Sequence, residues 1–236
     1  MKEKFGTTEL FYISEALMKV PLVTNILKAN DVIADQNRRL FSEKNILTIN
    51  VISSPGAGKT TLIENTIKAL KDDLTIAVVE GDIQSTYDAD KISKTGAQVV
   101  QINTGGGCHL DANMVSNALT QLNLDPVDLL IIENVGNLVC PAEFNLGEKF
   151  KVMLLSVPEG DDKPLKYPLV FHESTALLIT KIDLLPFVDC DVEKLKSESL
   201  RINPDLSIFE VSCKTGEGLP NWYNWLKSKT KEVANS

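Results

Sequence analysis

The chain has 236 residues, a length that one domain with a short extension accounts for. Hydrophobic residues make up 43% and charged residues 24%, close to the averages of globular proteins, which excludes a disordered chain or a fibrous repeat. The formal net charge is −8, from 24 basic and 32 acidic residues, so the basic surface of a nucleic-acid-binding protein is missing and we expect no nucleic-acid partner.

Residues 1–42 are predicted to form a helical extension. Apolar side chains recur at steps of three and four residues in two segments that Pro21 separates. Charged residues interrupt the first twenty positions, which excludes a signal peptide, and no apolar run reaches the roughly 18 residues that a membrane span needs. We therefore expect a cytoplasmic protein with no membrane partner, with the main domain spanning 43–236.

From residue 46 onwards, short β-branched runs alternate with helical patterns. This alternation predicts a doubly wound α/β domain with a mainly parallel sheet. The stretch 158–172, which is rich in proline, glycine and aspartate, is predicted to be an irregular loop. The predicted strands are 46–53, 74–80, 98–102, 127–133, 151–157, 176–180 and 207–212, and the clearest predicted helices are 60–71, 110–122, 192–201 and 219–233.

The first predicted strand leads into a glycine-rich turn of the P-loop type and then into a helix. The backbone amides of such a turn bind phosphates, Lys59 would neutralise the β- and γ-phosphate oxygens, and the Thr60 hydroxyl would bind Mg²⁺. Ser53 replaces the usual first glycine, and the alternative is a glycine-rich turn without function. Residue 54 is serine, whereas MinD-like ATPases have a signature lysine near this position, so an ATPase interpretation is weakened. The candidate nucleotide-binding residues are Ser54, Pro55, Gly56, Ala57, Gly58, Lys59, Thr60 and Thr61.

Two later strand ends carry motifs for guanine. Thr180, Lys181 and Asp183 form a variant of the Asn-Lys-x-Asp signature, in which the aspartate accepts hydrogen bonds from guanine N1 and N2. Thr180 replaces the usual asparagine and is expected to cost one loop contact. The next strand ends in a variant of the Ser-Ala-Lys motif, whose residues are Ser212, Cys213 and Lys214. Each match alone fits an ordinary strand end, but their order and spacing after the P-loop favour a GTPase.

Two acidic residues and a glycine complete the predicted phosphate site. Glu133 ends an apolar strand at the Walker B position, and Gly136 follows at the spacing of the Asp-x-x-Gly motif. Asp82 follows the second strand, where it would bind Mg²⁺ or orient the attacking water, or alternatively cap a helix. No glutamine follows Gly136 and no arginine lies between Arg39 and Arg201, so we expect slow intrinsic hydrolysis.

Cysteine and histidine lie in two loops that begin at the carboxyl ends of strands, Cys108 and His109 in the first and Cys140 in the second. Thiolate and imidazole groups from Cys108, His109 and Cys140 suit Ni²⁺ or Zn²⁺, although three ligands are one short of a tetrahedral site. A second subunit or water would supply the fourth. The alternative is that these cysteines pack as small apolar side chains. Cys190 and Cys213 have no partner nearby in the sequence and are predicted to be structural, as is His172.

These motifs together resemble the hydrogenase nickel-incorporation GTPases, the HypB family, over residues 25–226. The resemblance implies a SIMIBI-like P-loop GTPase that forms a GTP-dependent homodimer and delivers nickel to the hydrogenase large-subunit precursor together with a HypA-type metallochaperone. It also implies that Cys108, His109 and Cys140 bind the Ni²⁺ or Zn²⁺. The distinctive segments are 29–31, 53–60, 80–84, 107–110, 133–141, 159–168 and 181–186.

The N-terminus departs from many members of that family. A Cys-x-x-Cys-Gly-Cys motif or a histidine-rich tract is missing, since the first cysteine is Cys108 and the first histidine His109. Nickel storage is therefore not expected, and the residues before 25 are interpreted as a docking surface. A urease-type GTPase would carry Cys-Pro-His, which is absent, and a mutase-type chaperone would not need both cysteine motifs. A binding-only module with an inactive site is the remaining alternative.

Overall fold

The structure is a computed structural model that describes residues 26–82 and 87–235. In this part of the chain the strands are β1 (Leu47–Ser53), β2 (Ile76–Asp82), β3 (Gln98–Asn103), β4 (Leu129–Glu133), β5 (Phe150–Ser156), β6 (Ala176–Thr180) and β7 (Ser207–Val211). The helices are α1 (26–43), α2 (Lys59–Leu70), α3 (Tyr87–Ser93), α4 (Ala112–Leu119), α5 (Cys140–Glu143), α6 (Lys163–Lys166), α7 (Pro168–Glu173), α8 (Val192–Ile202) and α9 (Leu219–Ala234). Two 3₁₀ helices cover Val157–Glu159 and Ile182–Phe187.

The strands form one parallel sheet in the order β3-β2-β4-β1-β5-β6-β7. Strands β1, β4 and β6 are buried at every residue, as their continuous apolar sequences predict for a sheet covered on both faces. The predicted doubly wound, mainly parallel fold is confirmed. Because all strands run the same way, the loops after their carboxyl ends meet at one edge of the sheet, where doubly wound folds bind ligands.

Helices cover both faces of the sheet. Helices α2, α3 and α9 pack on one face, where Trp222 is fully buried and its Nε1 donates to Thr66 Oγ1 at 3.1 Å. Helices α1, α4, α7 and α8 pack on the opposite face. Among the described residues, no helix combines the length and apolar character needed to cross a membrane.

Helix α1 is attached to the domain by buried asparagines. Asn37 Nδ2 donates to the carbonyl oxygens of Ala112 and Leu146, both at 2.9 Å. Gly147 lies against this helix at φ +100°, and a Cβ there would be 2.6 Å from Asn37 Cβ and 2.8 Å from the carbonyl oxygen of Ala34. The close approach therefore requires glycine. The predicted docking surface before residue 25 lies outside the described residues.

Two sequence-based predictions of local structure are corrected. Residues 157–173 are mostly helical rather than an irregular loop, because Glu159 completes a capping box with Ser156, and Pro164 and Pro168 stand in the first turns of α6 and α7. The helix predicted over 110–122 spans only Ala112–Leu119. It begins late because Asp111 caps it by accepting from Met114 N at 2.7 Å.

Candidate nucleotide and metal site

The P-loop lies where β1 leaves the sheet and α2 begins. Gly56 and Gly58 have φ values of +77° and +104°, a left-handed backbone that glycine adopts at little cost. Lys59 and Thr60 open helix α2 and are largely buried. Lys59 Nζ donates to Ser53 Oγ at 3.1 Å, so the serine that replaces the usual first glycine contacts the lysine that is predicted to bind phosphate.

A cavity of about 400 Å³ adjoins the P-loop. Thr60, Asp82, Glu133 and Gly136 all line it, as the sequence predicted for a phosphate and magnesium site. Thr60 Oγ1 donates to Glu133 Oε1 at 2.9 Å. This hydroxyl and these carboxylates form the oxygen-only ligand set that Mg²⁺ prefers, so the residues fit the ion. The helix-capping alternative for Asp82 concerns residues 83–86, which lie outside the described residues.

Gly136 places the loop after β4 in contact with the P-loop. A Cβ at Gly136 would lie 3.0 Å from three atoms of Pro55, so a side chain there would press against the phosphate-binding turn. The same glycine lines the phosphate cavity. Its position suits a backbone group that responds to a terminal phosphate.

A second cavity of about 390 Å³ is lined by most of the residues predicted to bind guanine, Ser212 excepted. It shares Gly58 and Thr61 with the phosphate cavity, so the two adjoin at the start of α2. Asp183 Oδ1 accepts from Ser212 Oγ at 2.7 Å, which joins the two base motifs. The residues of the base motifs that line this cavity are Thr180, Lys181, Asp183, Cys213 and Lys214.

The base-binding loop is also attached to the P-loop. Lys181 adopts φ +59° and its Nζ donates to the carbonyl oxygen of Gly56 at 2.7 Å. The buried Thr180 Oγ1 donates to the carbonyl oxygen of Ala57, also at 2.7 Å. The prediction that threonine at position 180 costs a loop contact is therefore wrong, because the hydroxyl reaches the backbone of the P-loop.

Cys108, His109 and Cys140 come together at the same edge of the sheet. Their potential ligand atoms lie within 4.8 Å of one another. The Cys108 thiol is 3.2 Å from Cys140 Sγ and 3.5 Å from His109 Nδ1. Asn137 Nδ2 donates to the carbonyl oxygen of Cys108 at 3.2 Å and links the two loops. Two thiols and an imidazole in this arrangement suit a borderline divalent metal such as Ni²⁺ or Zn²⁺, and Cys108 is exposed, unlike a residue that only fills a core.

Burial and neighbouring groups set the protonation of this cluster. Burial lowers the pKa of His109, although the negative charges of Asp111 and Glu143 act in the opposite direction. The lowered pKa favours the neutral imidazole, which is the form that binds metals. The imidazole packs on the ring of Phe144 with 4.0 Å between centroids. The hydrogen bond with Cys108 raises the pKa of Cys140, and burial raises it further. A metal would therefore displace a proton from Cys140 as it binds.

The remaining cysteines and histidine stay outside the metal cluster. Burial is the main cause of the raised pKa of both Cys190 and Cys213, and the second of these thiols lines the base cavity. His172 Nδ1 lies 2.9 Å from Glu173 Oε1 at an exposed site.

Sequence reasoning missed other residues of the site. Glu80 is buried, lines the phosphate cavity and is the register partner of Glu133 on the neighbouring strand. Its place just before Gly81 and Asp82 was the only feature of the sequence that pointed to a role for Glu80 in the site, since strand neighbours cannot be read from one sequence. Phe144 and Asn134 were also missed because their partners lie far away in the chain.

Comparisons with known proteins show which sequences and structures the chain is similar to. The sequence profile described as "CobW/HypB/UreG, nucleotide-binding domain" matches residues 47–210. The hydrogenase maturation factor HypB of Escherichia coli K12 is 49% identical over 205 residues, which cover 87% of this chain and 71% of that protein.

Two solved structures have the same fold at substantial sequence identity. One is HypB from Helicobacter pylori in complex with nickel, which is 41% identical with a TM-score of 0.83 and covers 86% of this chain and 96% of that one. The other is the hydrogenase maturation factor HypB from Archaeoglobus fulgidus, at 39% identity and a TM-score of 0.82, covering 86% and 100% of the two chains.

Proposed function

The chain belongs to the CobW/HypB/UreG family and, as its sequence motifs predicted, to its HypB branch, and we propose that it is a GTP-hydrolysing metallochaperone that delivers nickel during [NiFe]-hydrogenase maturation. Nickel is the cargo in this account and GTP is the substrate. We propose that the protein acts in the cytoplasm, where the large-subunit precursor of the hydrogenase would receive its nickel.

One observation carries this proposal: a Cys/His cluster lies beside a nucleotide site at the same sheet edge. Cys140 follows Gly136 by four residues, and Asn137 joins the intervening loop to Cys108. Metal ligands with no connection to the P-loop would favour a storage protein. Their placement here favours a protein whose nucleotide state controls its metal.

The nucleotide half has the groups that GTP hydrolysis needs. Lys59 would neutralise the β- and γ-phosphates, Thr60 and Glu133 would hold Mg²⁺, and Asp82 would bind the ion or orient the attacking water. The bound ion supplies charge neutralisation for the transferred phosphoryl group. Asp183 selects guanine. Because no glutamine follows Gly136, turnover is slow.

The metal half is incomplete in one chain. The described residues supply three ligands, which leave one tetrahedral position for water or for a second subunit. Identical subunits most often pair about a two-fold axis. We propose that GTP and Mg²⁺ promote a homodimer, that a HypA-type metallochaperone takes part in the transfer, and that the large-subunit precursor of the hydrogenase receives the nickel. Light scattering that gives one mass without nucleotide, with GDP and with a GTP analogue would count against the dimer switch.

Paired measurements of hydrolysis and nickel binding test the proposed function. Lys59→Ala should abolish GTP hydrolysis, while the exposed Lys71→Ala should leave it unchanged. Cys140→Ala should weaken nickel binding in equilibrium dialysis, while Cys190→Ala should not. Normal hydrolysis in Lys59→Ala would contradict the P-loop assignment, and normal nickel binding in Cys140→Ala would contradict the metal assignment.

A further inference from the structure

A buried asparagine joins the metal loop to the nucleotide loop. Asn134 lies between Glu133 and Val135 and is 1% exposed. Its Oδ1 accepts from the backbone N–H of Leu110 at 3.1 Å and from that of Val135 at 3.0 Å. Leu110 directly follows His109. One side-chain oxygen therefore holds a backbone group next to a metal ligand and a backbone group next to Gly136.

A chain of buried polar groups fixes the orientation of this amide. Asn134 Nδ2 donates to Asn50 Oδ1 at 3.1 Å, and Asn50 Nδ2 donates to Glu148 Oε1 at 3.1 Å. The other oxygen of Glu148 accepts from Leu146 N at 2.6 Å. Both carboxylate oxygens of Glu148 act as acceptors here, with Lys151 Nζ 4.0 Å from Oε1, so Asn50 must turn its NH₂ group towards Glu148 and its oxygen towards Asn134. The oxygen of Asn134 must then face the two backbone N–H groups.

This arrangement makes Asn134 a rigid link rather than a surface contact. The groups are buried, where water does not replace a broken hydrogen bond and unsatisfied groups are costly. The link from Asn137 to the carbonyl of Cys108 is exposed, so water can substitute for it. Cys140 lies on the nucleotide loop itself, so the buried link is the one through which displacement of that loop reaches the other two ligands, Cys108 and His109.

We propose that Asn134 is the positioning residue that transmits nucleotide state to the metal site, an inference that rests on the proposed function. When the loop containing Gly136 responds to the γ-phosphate, Asn134 moves with it because it lies two residues away. Leu110 follows through its hydrogen bond to Oδ1, and His109 and Cys108 follow through the backbone. Asn134 lines the phosphate cavity beside Glu133, but its side-chain amide is engaged by Leu110, Val135 and Asn50, so we assign it a positioning role and not a ligand role.

The test compares Ni²⁺ affinity in the GDP form with that in the GTP-analogue form, both with Mg²⁺. We expect the two affinities of the unmodified protein to differ by at least about fivefold. Asn134→Ala should bind both ligands but reduce this ratio towards one. Asn203→Ala is the control, since Asn203 Nδ2 donates to the backbone carbonyls of Phe171 and Ser174 in partly buried hydrogen bonds, away from both cavities. It should lower stability and leave the ratio unchanged.

A second measurement decides the matter if Asn134→Ala does not fold. Hydrogen exchange at the Leu110 amide of the unmodified protein should change between the GDP and GTP-analogue forms, and an unchanged rate would overturn the inference. A ratio retained in Asn134→Ala, or a ratio of one in the unmodified protein, would overturn it while nickel binding and GTP hydrolysis still stand. Failure of the unmodified protein to bind Ni²⁺ would instead overturn the proposed function, and the inference with it.

Discussion

Thr180 Oγ1 donates a hydrogen bond of 2.7 Å to the carbonyl oxygen of Ala57, which joins the loop predicted to bind the base to the P-loop. The two residues are 123 positions apart in the sequence. The contact is buried and neighbours the hydrogen bond from Lys181 to Gly56. Threonine therefore holds the base-binding loop against the P-loop, and the two parts of the nucleotide site are positioned together.

Thr180→Val should weaken nucleotide binding without unfolding the protein. Valine has the same shape but lacks the hydroxyl, so the link to Ala57 is lost. A buried hydrogen bond contributes about 1 kcal/mol, which corresponds to a roughly fivefold increase in the Kd for GDP. Thr230→Val is the control, because Thr230 Oγ1 makes a similar buried bond to Leu226 in helix α9. Equal Kd values for Thr180→Val and the unmodified protein would show that the link does not support nucleotide binding.

Asp183→Asn should relax the preference for GTP over ATP. The carboxylate of Asp183 accepts from Ser212 Oγ and lines the base cavity, where its oxygens can accept from guanine N1 and N2. An amide offers only one accepting atom, so affinity for GTP should fall by about ten- to a hundredfold while that for ATP changes little. Competition binding with both nucleotides measures this. The exposed Asp205→Asn should keep the original preference, and a loss of preference there too would point to a general effect of charge.

Cys108→Ala should lower the pKa of Cys140. The hydrogen bond with Cys108 is the largest cause of the raised pKa, and burial, the next cause, remains in the variant. Because the thiolate is the reactive form, alkylation of Cys140 in the metal-free protein should begin at lower pH. Mass spectrometry can follow each cysteine separately. Cys190, whose pKa is raised mainly by burial, should keep its pH profile.

The raised pKa of Cys140 also sets the pH dependence of metal binding. Ni²⁺ binds the deprotonated thiol and must displace a proton whose pKa is raised, so affinity should increase as pH rises towards that pKa. The increase should be smaller in Cys140→Ala. An affinity that falls with rising pH would contradict thiolate ligation.

Gly147→Ala should loosen helix α1. The added Cβ would lie 2.8 Å from the carbonyl oxygen of Ala34, and the left-handed φ adds strain. We expect the free energy of unfolding to fall by about 1 to 3 kcal/mol, measured by urea denaturation. Gly96→Ala separates the two causes, since Gly96 has φ +88° but open space around its Cβ position. A similar decrease in the free energy of unfolding in both variants would mean that the close contact with α1 adds nothing to the cost of the backbone strain.

The sequence predicted the sheet well and made the local motifs visible, because both are encoded by neighbouring residues. Buried β-branched runs identify parallel strands, and the P-loop residues stand next to one another from Ser53 to Thr61. Periodicity failed over 157–173, where prolines and a capping box form helices too short to show a repeat.

What the sequence did not reveal depends on contacts between distant segments. Asn134 and Asn50 are ordinary asparagines until the sheet brings them to 3.1 Å from each other. Glu80 becomes a candidate site residue only when β2 pairs with β4 beside Glu133. The sulfur distance between Cys108 and Cys140 likewise depends on the loops after two different strands.

The central claim is that GTP controls nickel binding, and titration of Ni²⁺ into the nucleotide-free, GDP and GTP-analogue forms tests it most directly. Coupling is reciprocal, so the factor by which nucleotide shifts nickel affinity must equal the factor by which nickel shifts nucleotide affinity. We predict a difference of about 1 to 3 kcal/mol between the GDP and GTP-analogue forms. Indistinguishable nickel affinities in all three forms would contradict the account.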